Sequence, residues 1–223
     1  MPSKKSKPTK NRQQHEAFLP LLFLTFLLWL FYRTIFHFPV WFDESIGKFV
    51  FFALPVLLYV SVSGTKEVLA SFSLAKLKPG LLLGLAIGGL FGFTGVLLGV
   101  LSHGGTVSLM PYYLAEWFWW ELFLAILTGF FETLFFYSFV MVVVEQKFKH
   151  LSFYKQIFLV AFIFLLFHLP NIFARFEVRQ VIFQMILLFA FACGQALLFH
   201  QRRNAYLLVL VQAIWGMVLL LNF

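Results

Sequence analysis

Glu132 and His168 are the side chains of this chain best suited to moving a proton in an apolar setting. A carboxylate and an imidazole held around one water can take a proton from it and set the hydroxide on an amide carbonyl. An amide donor such as Gln212 can then steady the oxyanion that forms. Glu132 lies near the middle of an apolar stretch, Trp117 to Val144. An ionisable group at that depth costs about 2.5–3.5 kcal/mol on insertion scales, which makes it a functional-site candidate by default. An unpaired carboxylate in lipid is too costly to stand alone, so partners are expected on other helices, and His168 and Gln212 are the ones on offer. Glu121, Thr128 and Glu132 follow at i, i+7 and i+11, which puts them on one helical face as a polar stripe. The same residues make a poor metal site, with one histidine and one carboxylate against the three protein ligands a catalytic zinc usually has. No HExxH is present. No metal and no cofactor is expected.

The elements that must position these groups are membrane spans. The 223 residues are 61% hydrophobic and 12% charged, with 33 phenylalanines and six tryptophans. Several apolar runs of about 18–25 residues point to an all-α, polytopic membrane protein; a β-barrel would show short alternating segments instead. Spans are expected near 18–36, 46–63, 80–101, 117–144, 151–170, 180–199 and 206–222, seven in all. With the N-terminus inside, thirteen Lys and Arg fall on the inner side and four (Arg33, Lys48, Arg175, Arg179) on the outer, the asymmetry the positive-inside rule requires. The net charge of +8 is thus a matter of orientation, and no nucleic-acid partner is expected. Residues 1–17 read as a basic, disordered cytoplasmic tail. Residues 18–223 read as one transmembrane domain, its first helix uncleaved because Phe18–Phe36 is too long for a signal's apolar core.

Other residues have blander readings. Asp43 and Glu44, in HFPVWFDES, are expected in the headgroups, as a solvated turn with Asp43 or Ser45 capping the next helix. Pro55 is expected to kink span 2, and Pro170 to end or bend span 5. His103, in SHGG, reads as a solvated loop residue, and segment 64–79 as a short amphipathic helix on the inner surface. Trp117, Trp119 and Trp120 read as an interfacial belt. Gly84, Gly88 and Gly92 form a ladder for close helix approach, which would serve a helix–helix oligomer. Gln184, Gln195 and Gln212 read first as interhelical hydrogen-bond glue. Cys193, the one cysteine, excludes a disulfide framework.

The order of motifs in spans 4 to 7, about 117–222, resembles the CPBP family of CAAX endopeptidases and bacteriocin-processing intramembrane proteases. That family carries a helix with EExxxR, a helix ending FxxxH and a helix with HxxxN. The counterparts here are FFETLFFYS (130–138), FLLFH ending at His168, and QAIWG running from Gln212 to Gly216. If Glu132 stands for the first glutamate, Thr133 replaces the second and Tyr137 the arginine. If it stands for the second, Phe131 and Phe136 are the replacements. The resemblance implies that Glu132 and His168 activate water without a metal and that Gln212 is a reduced oxyanion donor, since Gly216 has no side chain to offer.

Three functions follow as expectations. One is a CPBP-like intramembrane endopeptidase acting on a membrane-associated or lipidated peptide. Another is a pseudo-protease of the same fold, serving as a binding, immunity-type or scaffold protein. A third is a small proton-coupled transporter using Glu132, although no inverted repeat is visible. The bilayer is a partner in every case, and the resemblance implies a bacterial plasma membrane.

Overall fold

The computed structural model describes residues 15–102, 116–175 and 178–222, and every regular element among them is a helix. Six of these helices are long and apolar enough to cross a bilayer, and with the family resemblance they define a polytopic all-α membrane protein. The main helices are α1 (Phe18–Ile35), α2 (Val40–Ser63), α3 (Leu77–Ser102), α4 (Phe118–Lys147), α5 (Phe153–Arg175), α6 (Val178–Arg202) and α7 (Ala205–Asn222). The last is apolar over a shorter described stretch, Ala205–Val218. Residues 1–14 of the tail and the His103 turn lie outside the described residues, and the tail's end departs from the expected disorder: His15 is buried against Tyr59.

The protein is built around α4. In its most apolar window 78% of the residues are buried inside the protein, against 22% for α1, which turns most of its surface outward. α1 carries Phe23, Leu24 and Phe31 outward, as a lipid-facing helix would. α7 packs along both α3 and α4, α5 pairs with α6, and α1 lies against α5.

Glycine lets α7 approach both neighbours. A Cβ added at Gly84 would sit 3.0 Å from the Leu207 carbonyl oxygen, and one at Gly95 would sit 2.7 Å from Val218. The ladder expected to serve an oligomer is therefore taken up inside the chain: Gly84, Gly88 and Gly92 face Leu207, Leu210, Val211, Ile214 and Val218 of α7. On α4, a Cβ at Gly129 would meet the Val209 carbonyl oxygen at 2.7 Å and Gln212 Cβ at 3.3 Å. That missing side chain brings the Gln212 turn of α7 against the Glu132 turn of α4.

Several local expectations are corrected. α2 begins at Val40, after Pro39, so Asp43, Glu44 and Lys48 stand inside the helix and not in a solvated turn, and neither Asp43 nor Ser45 caps it. Asp43 is buried because Arg33 of α1 pairs with it and Tyr32 Oη donates to it at 2.5 Å. Pro170 does not end α5, which runs on to Arg175. Segment 64–79 holds two short turns, Glu67–Ala70 and Leu74–Lys76, in place of one amphipathic helix. Gln195 makes no hydrogen bond among the described residues, so packing and not polar glue holds it. Trp117 and Trp119 are each 70% exposed, as belt residues should be.

Two helices depart from the α-form beside polar residues. α2 is π-helical over Asp43–Gly47 and Phe49–Ala53, on either side of Lys48, and α4 is π-helical from Thr133 to Met141, directly after Glu132. Single-turn π segments are frequent at functional sites because they re-aim side chains. The first π turn of α4 lets the adjacent Glu132 and Thr133 both reach Gln212.

Candidate functional site

Glu132 comes from the middle of α4, His168 from α5 and Gln212 from α7, and the structure brings the three together. His168 Nε2 stands 3.4 Å from Glu132 Oε1, and Gln212 Nε2 donates to Glu132 Oε2 at 3.1 Å. The Gln212 amide is held in that sense because Thr133 Oγ1 donates to its Oε1 at 2.8 Å. One of its two N–H groups is thus spent on Glu132, and the other has no acceptor among the described residues.

The tautomer of His168 follows from its other nitrogen. Nδ1 is 2.8 Å from the Phe164 carbonyl oxygen, which can only accept, so Nδ1 carries the hydrogen. In the neutral ring, Nε2 is then a bare lone pair turned toward Glu132. Its ring is fixed by Phe164, stacked on it at 4.1 Å between centroids, with Phe136 at 6.0 Å. Two acceptors facing each other at 3.4 Å suit a shared proton, with any water placed beside the pair.

Sequence reasoning did not anticipate the charge that completes the cluster. Lys48, expected among the outer interfacial basic residues, is buried, with its side chain 6% exposed, and its Nζ lies 2.6 Å from Glu132 Oε1 and 2.6 Å from Glu44 Oε2. Thr128 Oγ1 donates to Glu44 Oε2 at 2.5 Å, tying the polar stripe of α4 to α2. One ammonium thus joins two carboxylates from different helices. The signal was the i, i+4 spacing of Glu44 and Lys48, but spacing alone cannot distinguish a buried pair from an interfacial one. Of the positions where the resemblance has an arginine, Tyr137 is fully buried with its hydroxyl unpartnered among the described residues, and Phe136 packs on the His168 side chain.

The cluster borders a cavity of about 440 Å³. Its polar lining includes Glu44, Lys48, Glu132, His168 and Gln212; Leu187, Leu188 and Phe191 of α6 with Trp215 of α7 supply apolar lining. Gly216 opens onto the same space, and a Cβ there would meet nothing within 4 Å. Among the described residues no group of three or more His, Cys, Asp and Glu is arranged to hold a metal ion. The place a cation would take between Glu44 and Glu132 is filled by the Lys48 ammonium.

Residues 114–218 match the family model for type II CAAX prenyl endopeptidase Rce1-like proteins. The matched stretch holds Glu132, His168 and Gln212, and leaves out Glu44 and Lys48. No curated protein and no solved structure matches the chain. The match covers just under half of the chain, and it agrees with the motif order of α4, α5 and α7: this stretch is similar to the CPBP/CAAX proteases, a family of CAAX-type intramembrane endopeptidases.

Proposed function

We propose that the protein is a metal-independent endopeptidase that cleaves a membrane-associated peptide inside the α4–α5–α7 cavity. The observation that carries this reading is the approach of His168 Nε2 to Glu132 Oε1, 3.4 Å, beside a cavity with apolar lining. A water beside the pair, hydrogen-bonded to His168 Nε2, gives its proton to that nitrogen while its oxygen bonds to the scissile carbonyl carbon. The carbonyl π pair moves onto oxygen, where the free Gln212 N–H receives it. Collapse re-forms the carbonyl and breaks the C–N bond, and the imidazolium returns its proton to the leaving amine. Glu132, beside the ring nitrogen that becomes cationic, stabilises the imidazolium in between. The apolar lining of Leu187, Leu188, Phe191 and Trp215 suits a lipidated or strongly apolar peptide. Seven spans with the basic N-terminal tail inside, in a bacterial plasma membrane, complete the reading; it rests on the Lys and Arg asymmetry of the loops and on the family resemblance.

The test is cleavage of a fluorescence-quenched peptide ending in a farnesylated CAAX sequence by the purified protein in liposomes, with the products weighed by mass spectrometry. Cleavage by the wild type and none by Glu132→Gln is the expected result. A folded wild type that leaves both lipidated and unlipidated peptides intact, yet holds the peptide, would show a binding protein of the same fold.

A further inference from the structure

We infer that Lys48 is a catalytic residue of this site, the cation that receives the oxyanion of the tetrahedral intermediate; the inference rests on the endopeptidase reading above. It starts from a count of donors. Stabilising a carbonyl oxygen as it turns into an oxyanion takes positioned N–H groups or a cation in a site shielded from water. On α7 Gln212 has one N–H left after bonding Glu132, and Gly216 has none to give. Among the described residues Lys48 is the one Lys or Arg that lines the cavity, and it carries three N–H groups. Two are accepted by Glu44 Oε2 and Glu132 Oε1, each at 2.6 Å. The third has no acceptor among the described residues.

Position and charge agree with the count. Lys48 Nζ and His168 Nε2 both lie against one oxygen, Glu132 Oε1, at 2.6 and 3.4 Å. A carbonyl whose carbon is in reach of a water on His168 therefore has its oxygen in reach of the ammonium. As the water proton passes to His168, the imidazolium competes with Lys48 for Glu132 Oε1, and negative charge appears on the carbonyl oxygen at the same moment. The ammonium can then turn from Glu132 toward the oxyanion without leaving its tether, because Glu44, itself held by Thr128, keeps hold of it. No proton is lost from the lysine and no net charge enters the cavity. The π turns of α2 on both sides of Lys48 place Glu44 and Lys48 together on the cavity.

The test uses two variants. Lys48→Met alone leaves two carboxylates buried together, so the charge-balanced pair Lys48→Met/Glu44→Gln keeps the question answerable if the single variant does not fold. Both are assayed in liposomes with the quenched farnesylated CAAX peptide, and for binding of a phosphinate analogue that carries a fixed anionic oxygen at the scissile carbonyl. The expected result for the double variant is a kcat about 10²–10³ lower, the loss typical of one oxyanion donor. KM should stay within about threefold, and phosphinate affinity should fall by a factor close to that in kcat, because both report binding of the anionic oxygen. A merely structural counter-ion would leave phosphinate affinity unchanged relative to the peptide once the charges balance. A double variant within about threefold of wild type in kcat, or one that loses the phosphinate and the peptide equally, overturns the role of Lys48 while the endopeptidase stands. A folded wild type that cleaves nothing overturns the endopeptidase reading, and the role of Lys48 with it.

Discussion

α4 carries two glutamates that each gather a histidine and a cation, and only one of the two clusters borders the cavity proposed as the active site. Glu132 meets His168 and Lys48; thirteen residues on, Glu145 meets His200 and Arg203. At Glu145 the contact is closed: His200 Nδ1 lies 2.7 Å from Oε1, and Arg203 pairs with Oε2. The His200 and Arg203 side chains are 38% and 40% exposed, so water screens the group and its energy is that of a surface pair. At Glu132 the histidine commits Nδ1 to its own helix and turns a free nitrogen toward the carboxylate across a gap, beside a cavity. The residue types are alike. What separates the two clusters is which histidine nitrogen is spent, how dry the place is, and whether a cavity lies beside it.

Breaking each cluster in turn should expose that difference. The largest effect is expected on turnover: Glu132→Gln should lower kcat on the quenched peptide by about 10²–10⁴, the range of general acid–base catalysis, whereas Glu145→Gln should stay within a few-fold. Stability comes next. Lys48→Met leaves Glu44 and Glu132 buried without their counter-ion, a loss of about 3–5 kcal/mol; Arg203→Met should cost under about 1 kcal/mol. Denaturation in detergent, followed by tryptophan fluorescence, reads both, and equal losses would sink the contrast.

A smaller effect tests how α7 is docked. Gly129→Ala puts a methyl group against the Val209 carbonyl oxygen and should destabilise by about 1–3 kcal/mol. It should also lower kcat, because Gln212 is pushed off Glu132. Gly216→Ala, into open space, should leave stability unchanged.

The smallest effect lies ahead of α1. His15 is buried against Tyr59, with Nδ1 2.6 Å from Tyr59 Oη, and burial, with Lys147 nearby, holds its pKa below the ordinary value. A histidine whose folded pKa is lowered favours the fold above its unfolded pKa, near 6.5, and withdraws that support as the pH falls through the folded value. Thermal stability should therefore decline on acidification below about pH 6.5, and His15→Phe should flatten that decline; an unaltered profile would remove His15 from the account.

Much of this protein can be read along the chain. Apolar runs of bilayer length name the class, because lipid leaves the backbone few other ways to satisfy its hydrogen bonds. A carboxylate in the middle of one run names Glu132, because its cost there demands a partner. The order of motifs adds His168 and Gln212. Each of these signals is local, held in one helix and its spacing.

Lys48 and Glu44 were illegible for the opposite reason. Both stand near a helix start beside Trp41 and Asp43, where a headgroup position is the ordinary reading, and both lie outside the stretch that matches the family. Their burial is decided by how deeply α2 sinks against α4. The glycine ladder of α3 is a similar case: its spacing announces close packing, but whether the partner is a second copy or α7 depends on where the chain returns. By itself the sequence determined the all-α membrane class, the costly carboxylate and residues able to answer it, since those follow from transfer energies and helical period. Only the tertiary structure decided which cation answers, which histidine nitrogen is free and what the glycines touch, because each depends on contacts between helices far apart in the chain, and no local pattern encodes those.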